Sequence, residues 1–245
     1  MFDSKPVQSR EEGIHRLLEA NGIVVGSWNL RENSLILSNG KDVPLMPWRV
    51  HFHNLAMKDL IADKGLQNLS CLRILVSEEK KASLKQLVLK EMDMAEWLMQ
   101  SNIISVFAMG NDSVLHVTMR LKNGVLCTME LNVVLPAGTK PVYKHELIAG
   151  TGYVTDRAVD TIITPQKVYC CGDNETSTWN DVDVLTYGLT EKESSDARAA
   201  FEILAGHVDV EEQISSWKRL ERLYAMVQKS KETNECIFIK EDEKA

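Results

Sequence analysis

Apolar positions recur at helical spacing in the first hundred residues, at strand spacing through the middle, and at helical spacing again near the end. Ser9 with Glu12 forms a capping-box pattern, Ile14, Leu17 and Leu18 share one helical face, and Gly22 follows as a stop signal. "IVVGSW" (23–28) reads as a short buried strand, and the next stretch, with Asn39-Gly40, Pro44 and Pro47, as an irregular or hairpin-bearing insertion. A helix is predicted over 48–63, a strand over 69–77, and a helix over 83–99 with Leu84, Leu87, Val88, Ala95 and Leu98 in one stripe.

From 103 the period changes to two. "VLHVTMRLKNGVLCTMELNVV" predicts two strands joined at Asn123-Gly124, a pair suited to the positive φ of a tight hairpin. Val125, Cys127, Met129, Leu131 and Val133 face one way. Leu126, Thr128, Glu130, Asn132 and Val134 face the other, beside His116, Thr118 and Arg120. Further strands are expected at 142–149, 152–156, 159–163 and 167–171. Thr190 and Glu193 cap a helix carrying Ala197, Ala200, Phe201 and Leu204 and ended by Gly206. Val210, Ile214, Trp217, Leu220, Tyr224 and Val227 stripe another helix, and "CIFI" (236–239) is a last strand. Helices on either side of a long antiparallel run predict an α+β fold, a large sheet packed by helices on one face.

Composition narrows the function. At 44% hydrophobic and 26% charged, the chain reads as a soluble globular protein. A net charge of −7, with its Lys and Arg mixed among acids, argues against a nucleic-acid partner. The apolar runs are too short to span a bilayer, so no membrane role is expected. Five cysteines without a CxxC suit reduced thiols in a cytoplasm, and no metal-ligand spacing occurs.

Few sites invite chemistry. "GTGY" (150–153) lacks the third glycine and the following helix of a dinucleotide turn, so a strand-to-strand turn is expected. His51 and His53 lie too far apart around a helix to share a metal. Asp156, Arg157 and Asp160 are candidates to orient a polar ligand, or to form a salt-bridged sheet edge. Met94, Trp97, Met99, Trp217 and Tyr224 read as packing rather than as a cofactor box.

Taken in order, several segments resemble the Gfo/Idh/MocA family, NAD(P)-dependent oxidoreductases named for glucose–fructose oxidoreductase and inositol dehydrogenase. "SKPVQSREEGIHRLLEANGIVVGSWN" (4–29) is similar to the family's Glu-Lys-Pro motif with its helix and strand. "MKDLIADKGLQNLSCLRI" (57–74) and "KEMDMAEWL" (90–98) resemble its next two motifs. "MRLKNGVLCTMEL" (119–131), "KHELIAGTGYVTDRAVDT" (144–161) and "YGLTEKESSDARAAFEILAG" (187–206) resemble its hairpin, its strand-turn-strand and its closing helix. The resemblance implies a remnant of a Rossmann-type domain over 1–30, an irregular insertion over 31–47, a C-terminal-like α/β domain over 48–240 and a tail over 241–245. It implies that the Gly-rich nucleotide-binding part is absent, so the chain alone binds no cofactor.

On this pattern the family's catalytic lysine falls on Lys5, its active-site histidine on Lys90, and the acid four residues earlier on Gln86. Proton removal from a carbinol needs a titrating base, and glutamine is not one. The first expectation is therefore a non-catalytic substrate-domain or partner subunit. It would bind a sugar or cyclitol, or pair through its open sheet face with a second copy or a full-length relative. The alternatives are an oxidoreductase acting on a carbohydrate-like substrate, with NAD or NADP held by another chain's nucleotide domain, and a truncated gene product.

Overall fold

The computed structural model describes residues 9–63, 66–156, 167–172, 176–180 and 189–239. Lys5, Arg157, Asp160, the strand expected at 159–163 and the tail 241–245 lie outside the described residues. The backbone forms two units, Met1–Leu55 with Asp181–Arg219, and Ala56–Asn180 with Leu220–Ala245. The three segments read from the sequence as 1–30, 31–47 and the start of 48–240 thus begin in one and the same unit.

In the first unit, Ser9 caps α1 (Arg10–Ala20) by accepting the Glu12 N–H, while the Glu12 carboxylate takes Arg16 one turn on. Gly22 follows at φ +65°. Residues 23–28 form no strand, and Val24 is 98% exposed, which corrects the expected buried strand. A strand needs a hydrogen-bonded neighbour, and none of the described strands pairs with this stretch. The residues read as an insertion form most of a small antiparallel sheet, β1 (Asn29–Leu30), β2 (Ser34–Ile36) and β3 (Asp42–Pro44), followed by a 3-10 turn at Pro47–Arg49. Leu35, Val43 and Leu45 are buried with Ile14 and Leu18 of α1 and with Ala197, Ala200 and Phe201 of α4 (Glu191–Leu204). Apolar contact of this kind makes the segment part of the core rather than an appendage. The Thr190–Glu193 capping box is fully formed.

Among the described residues, the second unit is built on a nine-stranded sheet. Its strands are β4 (Leu69–Glu79), β5 (Ile103–Gly110), β6 (Val114–Leu121), β7 (Leu126–Leu135), β8 (Val142–Ala149), β9 (Gly152–Thr155), β10 (Lys167–Gly172), β11 (Thr176–Asn180) and β12 (Ile237–Phe238). Their spatial order is β11-β10-β9-β8-β4-β7-β6-β5-β12. Every pairing is antiparallel except β4 with β7. The fold class is therefore α+β with a large, mostly antiparallel sheet, as the periodicity implied.

Helix α3 (Leu84–Met99), capped by Ser83, packs on β4 and β7 and covers one face. On that face Leu72, Ile74, Val76, Cys127, Met129 and Leu131 are buried. The other face carries Arg73, Thr128, Glu130 and Asn132, with Leu126 and Val134 exposed among them. Two further helices, α2 (Phe52–Ala62) and α5 (Val210–Thr233), contribute residues to both units. In the β6–β7 connection the Gly124 N–H returns to the Leu121 carbonyl, and Gly124 alone of the Asn-Gly pair has positive φ. That is a hairpin with a single left-handed glycine.

Candidate functional site

The helical phase of α3 sets its chemistry. Consecutive residues lie about 100° apart around a helix, so Glu91 turns wholly inward while Lys90 stays at the margin, its side chain 26% exposed. On β8 the period of two puts Tyr143, His145 and Leu147 opposite Val76, Ile74 and Leu72, on the face that α3 covers. Strand β9 pairs Thr155 with Glu146, which carries Asp156, one residue on, directly beside His145.

These placements join four charged side chains. The Asp156 carboxylate takes the His145 backbone N–H at 2.7 Å and its ring Nδ1 at 2.5 Å. The second ring nitrogen, Nε2, lies 2.9 Å from Glu91 Oε2. Glu91 Oε1 has no aligned hydrogen bond and is met by the Lys90 ammonium at 3.2 Å. The Lys90 Nζ also sits 4.5 Å from the centre of the Tyr143 ring. The Tyr143 hydroxyl in turn bonds to Glu78.

Burial alone would push His145 down, but the Asp156 and Glu91 carboxylates outweigh it and take the imidazole up to about 10. Both ring nitrogens face carboxylate oxygens, so both must donate, which requires the imidazolium. Burial pushes the Glu91 carboxyl up, yet Lys90 first and His145 next hold it below its ordinary value. The cluster is a chain of alternating charge, positive at Lys90 and His145 and negative at Glu91 and Asp156.

Of the residues picked out by sequence, Lys90 and Asp156 enter this cluster. Gln86, one turn before Lys90, is exposed, and its N–H is engaged by the Ser83 cap. Glu91 and His145 were missed. Their signal was an acid amid the inward residues of "VLKEMDMA" and a histidine at an inward strand position, since a buried charge needs a partner.

Other candidates read as structure. "GTGY" is the β8–β9 turn, with the Gly150 N–H on the Gln67 and Asn68 carbonyls and Thr151 Oγ accepting the Gln67 N–H. His51 lies just before α2 (Phe52–Ala62) rather than on it, so its ring meets that of His53 edge-on at 5.0 Å, which corrects the expected separation around a helix; no group of three potential metal ligands forms among the described residues. Burial raises the Cys127 thiol well above its ordinary value and also raises Cys71, which argues against a thiolate nucleophile at either.

A dinucleotide does not fit the described residues. Among the described residues, none of the capped helices α1, α3 and α4 follows a glycine-rich turn from a strand, and one first-turn N–H of each, that of Glu12, Gln86 and Glu193, is taken by Ser9, Ser83 and Thr190. An open cleft of about 620 Å³ in the first unit is lined by Ile23, Val25 and Trp28 together with Glu11 and Glu19. Two carboxylates there would repel a pyrophosphate.

No family model matches the sequence, and no curated protein matches it. The fold, by contrast, matches solved oxidoreductase structures. A levoglucosan dehydrogenase in complex with NADH and levoglucosan is similar at TM-score 0.64 and 11% identity, over 96% of this chain and 72% of that one. An oxidoreductase domain protein from Kribbella flavida matches at TM-score 0.63 and 12% identity, over 80% of this chain and 66% of that one. A myo-inositol dehydrogenase from Corynebacterium glutamicum matches at TM-score 0.56 and 16% identity, over 80% of this chain and 64% of that one. The chain thus spans less than two thirds of the length of the last two proteins. No helix among the described residues is long and apolar enough to cross a membrane.

Proposed function

We propose that this chain is the substrate-binding part of an NAD(P)-dependent oxidoreductase of the Gfo/Idh/MocA type, acting on a carbohydrate-like substrate, with the dinucleotide held by a domain of another chain. One observation carries the reading: 96% of the chain follows the fold of a dehydrogenase whose structure holds both NADH and an anhydrosugar. That dehydrogenase is longer than this chain, and the reading places the hydride carrier on a domain beyond the described residues. Reduced thiols and an acidic surface suit a cytoplasmic enzyme.

A second reading is a relative that has given up catalysis and keeps only ligand or partner binding. It is favoured by Gln86, which cannot titrate, and by Lys90, whose ammonium is tied to Glu91. Under either reading the open sheet face, with Leu126 and Val134 exposed, is the surface offered to a second copy or a full-length relative.

Calorimetric titration of the chain with NAD+, NADH, NADP+ and NADPH, and separately with levoglucosan and myo-inositol, tests the proposal. Carbohydrate binding without nucleotide binding is expected. Tight nucleotide binding would overturn the division of labour between chains. A folded protein that ignores both carbohydrates would overturn the substrate-domain reading.

A further inference from the structure

We propose that residues 23–28 are a docking edge for a β-strand of a second polypeptide, a strand apolar at alternate positions and basic at its ends. The inference goes beyond the functional reading above and does not depend on it.

The segment has the pattern of a strand and lacks the neighbour. "IVVGSW" supplies six residues, about 20 Å when extended, the length of an ordinary strand. Ile23 and Val25 pack against the core cluster that holds Leu18 and Leu35, whereas Val24 between them is 98% exposed. Burial thus alternates as it does along a strand with one face covered. The Ile23 N–H returns to the Leu18 carbonyl. Beyond it, among the described residues, no hydrogen bond engages the backbone of Val24, Val25, Gly26 or Ser27.

Proteins ordinarily guard such an edge with a charge, a proline or a bulge. These six residues contain neither a charge nor a proline. Open space adjoins them twice. The cleft of about 620 Å³ lies along α1 and the segment, and a second of about 240 Å³ is bounded by Val25, Gly26, Leu37, Ser38 and Ile203.

Charge selects the occupant. Glu11 and Glu19, both exposed on α1, border the larger cleft, and no lysine or arginine is found among the described residues that line it. A second copy of this chain would bring two more carboxylates to the same place, and each copy carries a net charge of −7. A strand with lysine or arginine at its ends meets the acids instead. Its backbone pairs with the open N–H and carbonyl groups, and its apolar side chains cover Val24.

The test uses the full chain and a fluorescent peptide of about six alternating valine and threonine residues, flanked by lysine, with a glutamate-flanked peptide of the same core as control. The lysine peptide should bind and slow hydrogen exchange at the Val24–Ser27 amides, and the glutamate peptide should bind at least about tenfold more weakly. E11Q with E19Q should lower affinity for the lysine peptide about fivefold, the size of two exposed ion pairs. Successive N–H groups of an extended segment point to opposite edges. One of V24P and S27P should therefore abolish binding and the other keep it, with melting temperatures unchanged because both positions are exposed.

A lysine peptide that does not bind, or that binds both proline variants like the wild type, would overturn the proposal. Equal affinity for the two peptides would overturn the choice of a basic partner. Slow exchange at these amides before any peptide is added would show an edge already covered, which also overturns it. A wild type that sediments as a dimer, with a monomeric V24P or S27P, would give the edge to a second copy instead. Should a proline variant fail to fold, the glutamine changes on α1 and the control peptide still decide.

Discussion

Nε2 of His145 lies 2.9 Å from Oε2 of Glu91, and the opposite ring nitrogen is held by Asp156, so one imidazole on β8 joins α3 to the end of β9. The consequences of this arrangement for stability can be measured directly.

The pH dependence of folding follows from the sign of the shift. His145 goes from 6.5 to about 10 on folding, so its stabilisation is complete below 6.5 and is lost as the pH rises through about 10. Glu91, held below its ordinary 4.5, acts at the acid end, and its contribution is lost as the pH falls through its folded value. The groups facing this pair are Lys90, Tyr143, Asp156 and Cys127. The urea midpoint of the wild type should fall between pH 6.5 and 10, and that of H145Q should stay nearly level. An equal slope in H145Q would assign the effect to other groups.

Breaking one partner of a buried ion pair leaves the other uncompensated. E91Q and H145Q should each cost about 3–5 kcal/mol. Made together they should cost less than their sum by about 1–3 kcal/mol, since the second change removes a charge already stranded by the first. Denaturant melts of the four proteins give this coupling, and strict additivity would mean that the two side chains do not interact in solution.

The segment 31–47 should behave as core. Leu35 is fully buried against α1 and α4, so Leu35→Ala should cost about 2–5 kcal/mol. Deletion of 32–46 should expose the α1 and α4 amides to hydrogen exchange. Unchanged protection there would mean that the segment does not support α1 and α4.

Two hairpin glycines should respond differently to alanine. Gly110 has φ +138°, and an added Cβ would lie 2.1 Å from the Val114 carbonyl oxygen. Gly124 has φ +91° with open space around it. Gly124→Ala should cost about 1–2 kcal/mol for the left-handed backbone alone, and Gly110→Ala more. Thermal melts that rank them the other way would contradict the close approach at Gly110.

Leu126 and Val134 are 48% and 42% exposed on the open face. If that face pairs with a second copy, Leu126→Lys with Val134→Glu should lower the sedimentation mass while changing stability by only about 0.5 kcal/mol. A mass unaltered by the changes would direct the partner search to another surface.

Short-range signals were read well. The Ser9 and Thr190 caps, the stripe on α3, the alternation along β7 and the turn at Gly124 each depend on groups a few residues apart, and the structure repeats them. The expected buried strand at 23–28 failed because its apolar residues suit a strand only where another strand lies alongside. The segment 31–47 read as an irregular or hairpin-bearing insertion because its turn residues dominate locally, while Leu35 and Val43 find their partners across the chain.

By itself, the sequence determined the α+β class, the helix starts and the hairpins, since each is set by backbone preference and side-chain period. Only the tertiary structure decided that β4 lies between β8 and β7, and that His145 meets a carboxylate 54 residues away on one side and 11 residues away on the other. A buried charge announces that it needs a partner. Which partner it finds depends on sheet order and helix packing, and neither leaves a mark within a few residues of the charge itself.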